Sequence, residues 1–487
     1  MAEFLIANMA PIMFSALIVF LLIGYPVAFS LAAVGMVFGL LGIELGLLTP
    51  NLLQAFPDRV FGIMKNEILL AVPFFTFMGL VLERSGMAED LLDTIGQLFG
   101  SVRGGLAYAV ILVGALLAAT TGVVAASVIA MGLISLPIML RYGYDKALTS
   151  GVIAASGTLA QIIPPSLVLI VMADVLGRSV GDMYKGAFIP GLILTGLYIL
   201  WVLLNSIFRP HATPALPPEA RTRRGWALAW RVVVAMVPPL LLIFLVLGSI
   251  FIGWATPTEG GALGAVGAVA LALGRGKMNR GLLVEAMTAT AKVTSFVIFI
   301  LIGSSVFSLV FRGVNGDLWV EHLLLNLPGG QLGFLVVVNA LVFLLAFFLD
   351  YFEISFIILP LLAPVVEKLG IDLVWFGILM AVNMQTSFLH PPFGFALFFL
   401  RSVAPPTVRT SDIYWGAIPF VAIQVLVVTL IILFPSLVTI GLDRPTHSGE
   451  PTPVQILAPQ DEPGTGADSP PEDAADLFKR IAPKRQE

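Results

Sequence analysis

The sequence contains no cysteine in 487 residues. Disulfides, thiolate metal sites and cysteine nucleophiles are excluded together. Charge is scarce as well: Asp, Glu, Lys and Arg supply 11% of the chain, against about 25% in a soluble domain. With 26 basic and 30 acidic side chains to solvate it, a water-soluble enzyme of this length is excluded. No G-x-x-x-x-G-K-[ST], H-E-x-x-H or G-x-S-x-G run occurs, which removes the P-loop, zincin and nucleophile-elbow enzyme classes. Nothing resembles a basic nucleic-acid surface, so the expected surroundings are membrane lipid and no nucleic acid.

What is present is apolar: 58% hydrophobic residues and a mean hydropathy of +0.99. Runs such as 14–37, 232–252 and 419–434 have the length of helices that cross about 30 Å of hydrocarbon at 1.5 Å per residue. They are too long for barrel strands and do not alternate. The fold class is therefore an all-α polytopic membrane protein. Glu3 and no basic residue precede the first run, so that run reads as a retained span. The net charge of −4 arises in 443–487, where nine acidic and five basic residues leave residues 1–442 neutral. That segment also holds eight prolines and is expected to be a disordered acidic tail.

An internal repeat organises the rest. Residues 136–172 (LPIMLRYGYDKALTSGVIAASGTLAQIIPPSLVLIVM) align without gaps on 363–399 (APVVEKLGIDLVWFGILMAVNMQTSFLHPPFGFALFF) at an offset of 227. Identities fall on Pro137/Pro364, Gly143/Gly370, Asp145/Asp372, Ala154/Ala381, Pro164/Pro391 and Pro165/Pro392. Apolar composition alone does not place glycine, aspartate and a proline pair in register.

Two halves follow, 1–208 and 232–442, joined by a linker at 209–231. Each reads as two spans, a short amphipathic piece and a third span (67–84; 293–312). A kinked pair of short segments (104–140; 331–367) comes next, then a helix broken by Pro-Pro (146–176; 373–401) and a last span (184–208; 413–440). If the kinked pair is a re-entrant hairpin, each half crosses five times, and an odd number makes the halves inverted repeats. Placing the linker inside puts 15 Lys and Arg of the body inside and 6 outside, in the sense the positive-inside rule requires. The loop 84–104 dissents, because it carries Glu89, Asp90 and Asp93.

A Pro-Pro break at mid-membrane frees backbone groups that hydrocarbon cannot satisfy, and such breaks survive where they line a cavity or bind an ion. Paired broken helices in inverted halves are the pattern of secondary transporters. Beside the first break sit Ser156, Gly157, Thr158, Gln161 and Ser166; beside the second sit Asn383, Gln385, Thr386, Ser387 and His390. Neutral oxygens and amides of this kind suit a weakly held hard cation such as sodium. The hairpin kinks add Thr120, Thr121, Asp350 and Glu353. A single Ser or Thr also reads as a residue that lets helices pack closely. Asp350, Glu353 and Glu259 can equally be interfacial or helix N-terminal charges, and a lone His390 can be a structural donor. A passive channel is the rival class, separated from a carrier by saturable, sodium-coupled uptake.

These residues resemble the large membrane (DctM-like) subunit of tripartite ATP-independent periplasmic (TRAP) transporters over about 4–440. The most specific points are AVPFF at 71–75 with Gly79, GTLAQIIPPS at 157–166, TPTE at 256–259 and Leu349-Asp350. His390, where the family pattern has Thr, and YFEIS after Asp350 resemble a subgroup labelled mannitol or chloroaromatic, so a dicarboxylate substrate does not follow. The resemblance implies a sodium-driven importer of an organic acid in the bacterial inner membrane, without an organic cofactor. It implies an elevator mechanism, in which a domain at 104–176 plus 331–401 slides against a scaffold of the remaining spans. Two partners are implied, a small four-helix membrane subunit and a periplasmic substrate-binding protein. Sodium would sit at Thr120, Thr121, Ser156, Gly157 and Thr158, and at Asp350, Asn383, Gln385 and Thr386. Substrate would sit near Gln161, Pro164, Pro165, Ser166, Glu353, His390 and Pro391. A single-component sodium and organic anion symporter of the same architecture is the alternative.

Overall fold

A computed structural model describes residues 2–121, 124–221 and 225–442. The tail expected at 443–487 lies outside the described residues. Where hydrocarbon offers backbone groups no partner, the apolar runs satisfy them internally as helices. Six described helices are long and apolar enough to cross a membrane, or up to eight if two bent pairs each count as one span.

The first half opens with α1 (Ala2–Ala7), α2 (Met9–Ile23) and α3 (Val27–Glu44), then the short α4 (Asn51–Gln54) and α5 (Phe56–Met64). The chain bends by 51° before α6 (Ala71–Arg84). The polar run Lys65-Asn66-Glu67 is the physical reason: Asn66 accepts from the Ile68 N–H at 2.9 Å and donates to Asp174 at 2.6 Å, which ends one helix and starts the next. Then come α7 (Met87–Leu98), α8 (Gly105–Thr121), α9 (Val124–Arg141), α10 (Lys146–Thr158), α11 (Leu167–Val175) and α12 (Val180–Phe208).

The second half holds α13 (Gly225–Phe251), α14 (Pro257–Gly274) and α15 (Arg280–Gly313). The third span expected at 293–312 is thus one helix of 34 residues, without the break its counterpart has before α6. After it come α16 (Gly316–Leu325), α17 (Gly330–Leu345), α18 (Tyr351–Ile357), α19 (Leu359–Lys368), α20 (Leu373–Met384), α21 (Phe395–Val403), α22 (Thr410–Leu433) and α23 (Ser436–Thr439).

The matched identities of the repeat occupy the same structural positions. Asp145 and Asp372 each cap a helix, accepting from Leu148 N–H and Trp375 N–H at 2.8 Å. Gly143 and Gly370 take φ of 82° and 68°, the left-handed turn that ends the preceding helix. Pro137 and Pro364 both lie inside helices, and both Pro-Pro bonds are cis.

Each kinked segment returns to where it started. Gly104, ahead of α8, donates to the Thr213 carbonyl and Asp145, after α9, to the Ala212 carbonyl, both at 3.0 Å. The ends of 104–145 are thus held by two neighbouring linker residues. In the second half Gln331, at the start of α17, donates to the Leu369 carbonyl after α19 at 2.5 Å. The first base lies at the C-terminal end of α12, where Ser206 donates to the Arg103 carbonyl at 3.4 Å. The second lies at its N-terminal end, where Arg178 faces Glu367 at 3.9 Å. A helix of 29 residues separates the two bases by about 44 Å at 1.5 Å per residue.

Two groups of close packing stand out among the helices. In one, α3 packs on α15 and α6 on α14, with Gly303 so close to the Ala28 carbonyl that a Cβ there would collide with it. In the other, α10 packs on α8, α9 and α22, and α12 packs on α11, α20 and α22. The last spans, which the resemblance assigns to the scaffold, pack against the broken helices. The closest approach is between α10 and α22, where a Cβ on Gly151 would meet the Gly416 carbonyl and one on Gly416 the Ala147 carbonyl.

Two of the three dissenting acids of 84–104 have basic partners. Asp90 pairs with Arg275 at 3.0 Å and Asp93 with Arg231 at 3.1 Å, while Arg84 pairs with Glu285. Acids paired with arginines are neutralised locally and do not oppose the orientation expected from those arginines.

Candidate functional site

The two broken helices meet. Below the first break α10 passes through a turn at Leu159–Gln161, and below the second α20 passes through a turn at Gln385–Phe388. The Gln385 side-chain nitrogen donates to the Thr158 carbonyl at 2.7 Å and to its hydroxyl at 3.2 Å. These positions differ by 227, the offset of the repeat, so equivalent residues of the two halves touch. Contact between equivalents is what a local two-fold relation produces on its axis. Gln424 of α22 adds a contact to the Thr158 hydroxyl at 3.5 Å and donates to the Tyr198 hydroxyl of α12 at 3.0 Å.

The other candidates beside the breaks are buried and mostly bonded to their own backbone. Ser156 donates to the Val152 carbonyl at 2.6 Å, Thr158 to Ala155 at 2.8 Å, Thr386 to Asn383 at 2.6 Å and Ser166 to Gln161 at 2.6 Å. Such hydroxyls keep free lone pairs. Gly157 presses against Val128 of α9. Asn383 donates to the backbone and side-chain oxygens of Asn339 on α17 at 2.8 and 3.0 Å. Buried side-chain atoms without a hydrogen-bond partner include one amide oxygen each of Gln161, Gln385 and Gln424 and the Ser387 hydroxyl. The side chains of Thr120 and Thr121 lie outside the described residues.

Asp350 and Glu353 form a capping box at the start of α18. Glu353 N–H donates to Asp350 at 2.9 Å and Asp350 N–H to Glu353 at 2.9 Å. Glu259 does the same with Thr256, which donates its N–H at 2.7 Å. The helix N-terminal reading of these acids therefore holds in part: each satisfies orphan donors of its helix.

A cavity of about 320 Å³ opens where both hairpins, both breaks and α15 converge. Gln161 and Asp350 line it, together with the first residues of α9, α11 and α21. Glu353 lines a neighbouring cavity of about 350 Å³, against the turn at 24–29 between α2 and α3. Pro164, Pro165, Ser166 and Pro391 lie outside the lining of both cavities. So does His390, which is buried with its ring stacked on Phe347 at 4.2 Å and edge-on to Phe343 at 4.3 Å.

Sequence reasoning passed over Gln424, Tyr198, Asn339 and Phe296. Three of them carry a polar group inside an apolar run, which is a signal in itself; Phe296 carries none. Among the described residues no group of three or more His, Cys, Asp or Glu could hold a metal ion. The oxygens at the breaks are hydroxyls, amides and helix-end carbonyls, fit for a singly charged hard cation.

Paired broken helices around a shared cavity are an architecture of membrane transport proteins. Comparison with known proteins gives the family. Residues 14–437 match the family model of the tripartite ATP-independent periplasmic transporter, DctM component. The C4-dicarboxylate TRAP transporter large permease protein DctM of Pseudomonas aeruginosa is 32% identical over 391 residues, 80% of this chain and 90% of that one. The protein of the same name from Rhodobacter capsulatus is 30% identical, covering 81% and 90%. The sialic acid TRAP transporter permease protein SiaT of Haemophilus influenzae is 26% identical, covering 87% and 66%. Among solved structures, the Alcanivorax borkumensis YdaH transporter superposes with a TM-score of 0.57 at 18% identity, covering 80% of this chain and 90% of that one, which is a likeness of fold.

The chain belongs to the DctM family of TRAP transporter large permeases. It is a multi-span subunit of a secondary transporter in the bacterial inner membrane, and the family is not one of enzymes.

Proposed function

We propose that this subunit imports an organic acid by sodium symport, with the acid delivered by a periplasmic substrate-binding protein and the subunit paired with a small four-helix membrane protein. The observation that carries the reading is the contact of Gln385 with Thr158, which joins equivalent positions of two inverted halves beside both Pro-Pro breaks. Hairpin bases at opposite ends of α12 support the inversion. One sodium would bind among the first hairpin kink, Ser156, Gly157 and Thr158, and its counterpart among Asp350, Asn383, Gln385 and Thr386. Sodium at both places neutralises freed helix-end dipoles, so a fully loaded domain moves and a half-loaded one is penalised.

In this reading the hairpins and broken helices slide as an elevator against the set containing α3, α6, α14 and α15. The packing of α12 and α22 on α10 and α20 supports their moving with the broken helices. Uptake into proteoliposomes of a panel of labelled carboxylic acids tests the proposal, with and without an inward sodium gradient and the binding protein. Uptake that needs both is the expected result. Uptake that needs sodium alone would replace it with a single-component symporter, and flux indifferent to sodium would overturn the coupling.

A further inference from the structure

We infer that a cavity at the base of the first hairpin binds a small zwitterion, with an ammonium group and a carboxylate on one compact apolar body, as in an apolar amino acid. This cavity shares no lining residue with the two at the breaks, and the inference does not depend on the function proposed above.

The cavity measures about 360 Å³ and lies between α7, both helices of the hairpin and the linker. One face of α7 supplies acceptors. Glu89, Asp93 and Gln97 line the space together, as positions i, i+4 and i+8 of a helix do. Asp93 is spent on Arg231 at 3.1 Å, which leaves the Glu89 carboxylate. The Gln97 side-chain nitrogen donates to the Ala220 carbonyl at 3.2 Å, and its oxygen is buried with no partner. Ser135 of α9, 5% exposed, lines the same space, and its hydroxyl bonds to no described residue. A buried acceptor left unsatisfied costs stability until a donor completes it. An ammonium group brings three donors and no acceptor, which suits a carboxylate, an amide oxygen and a hydroxyl.

The rest of the wall decides what the ammonium is attached to. Arg141, at the end of α9, lines the cavity as well. It pairs neither with Glu89 nor with any other described acid. Opposite charges that share a cavity without meeting are complementary to a ligand that carries both signs apart. An amine alone would leave the guanidinium unanswered, and an acid alone the Glu89 carboxylate. Between the charged groups the wall is apolar, formed by Leu92, Leu106, Val110, Ile134 and Ile138. A branched or aromatic side chain removes its own surface from water there, and about 360 Å³ is the scale of a small-molecule site.

The test is equilibrium binding of labelled leucine and phenylalanine to the full chain in phosphatidylglycerol nanodiscs, with glycine, 3-methylbutylammonium and 4-methylpentanoate as competitors. Both amino acids should bind saturably. Each competitor lacks the apolar body or one of the two charges and should bind at least about tenfold more weakly. Glu89→Gln and Arg141→Gln alter exposed residues, so the unfolding midpoint should stay close to that of the parent chain while leucine binding weakens about tenfold in each. The inference is overturned by the absence of saturable binding by both amino acids, by a competitor that matches leucine, or by leucine binding that neither substitution changes. Nanodiscs with added phosphatidylethanolamine separate the sources of the zwitterion. Leucine displaced by that lipid upholds the site and its chemistry and assigns the resident to the lipid headgroup, whereas unchanged leucine binding assigns it to a free solute.

Discussion

The Gln385 amide reaches the Thr158 carbonyl at 2.7 Å where no water can replace it. Gln385→Leu leaves that carbonyl and the Thr158 hydroxyl short of a donor, at a cost of about 1–3 kcal/mol. The expected outcome is a lower unfolding midpoint together with a higher sodium concentration for half-maximal uptake. An unchanged sodium dependence would take Gln385 out of the coupling. The Asn339 and Asn383 pair is tested by a double-mutant cycle. Asn383→Leu alone strands the Asn339 oxygens and should destabilise, whereas Asn339→Leu with Asn383→Leu removes both partners and should recover part of the loss, with a coupling energy of about 1 kcal/mol or more. If the double variant still couples uptake to sodium, Asn383 is a packing residue and no ligand.

At the scale of elements, two helices that touch through glycine behave as one body. α10 and α22 approach so closely at Gly151 and Gly416 that either Cβ would strike a carbonyl, and backbone cannot move aside as a side-chain tip can. Gly416→Val should lower stability by about 1–3 kcal/mol, the usual cost of overpacking. Gly196→Ala on α12, where a Cβ meets nothing within 4 Å, should be neutral or gain about 0.5–1 kcal/mol from helix propensity. Thermal unfolding of the purified variants separates the two cases. Equal losses at both positions would show that the close approach does not hold α22 to α10. The same element scale explains the bend before α6: Asn66 diverts the chain by bonding to Asp174, a residue 108 positions away that no local pattern could nominate.

For the whole molecule, the proposed inversion puts the two hairpin bases, which lie at opposite ends of α12, on opposite faces of the membrane. The absence of cysteine makes this directly testable, because a single introduced thiol is the only one in the chain. Ser101→Cys, beside the first base, and Asn326→Cys, beside the second, sit at exposed positions. In intact cells an impermeant maleimide should label Asn326→Cys, and should reach Ser101→Cys only after permeabilisation. Labelling of both from one side would refute the inverted arrangement. The arginine pairs of Asp90 and Asp93 belong to this scale too. Exposed ion pairs contribute about 0–1 kcal/mol each, so their main consequence is to reconcile an acidic helix with a basic face.

The all-helical membrane class was legible in the chain because it rests on hydrophobic length and composition. Hydrophobic length dictates membrane helices, Pro-Pro dictates a break, and glycine, aspartate and proline recurring at one offset dictate equivalent turns, caps and kinks. The same reasoning nominated the polar residues at both breaks, since backbone freed inside a membrane needs partners nearby. It did not tell which of them face one another. That Gln385 meets Thr158, that Asn383 pairs with Asn339, that His390 packs between Phe343 and Phe347, and that Gln161 and Asp350 share a phenylalanine-lined cavity depend on distances between segments far apart in the chain. Helical periodicity fixes a residue's direction only relative to its own axis. The rotation and depth of one helix against another come from side-chain packing across the whole bundle, and only the tertiary structure decides them.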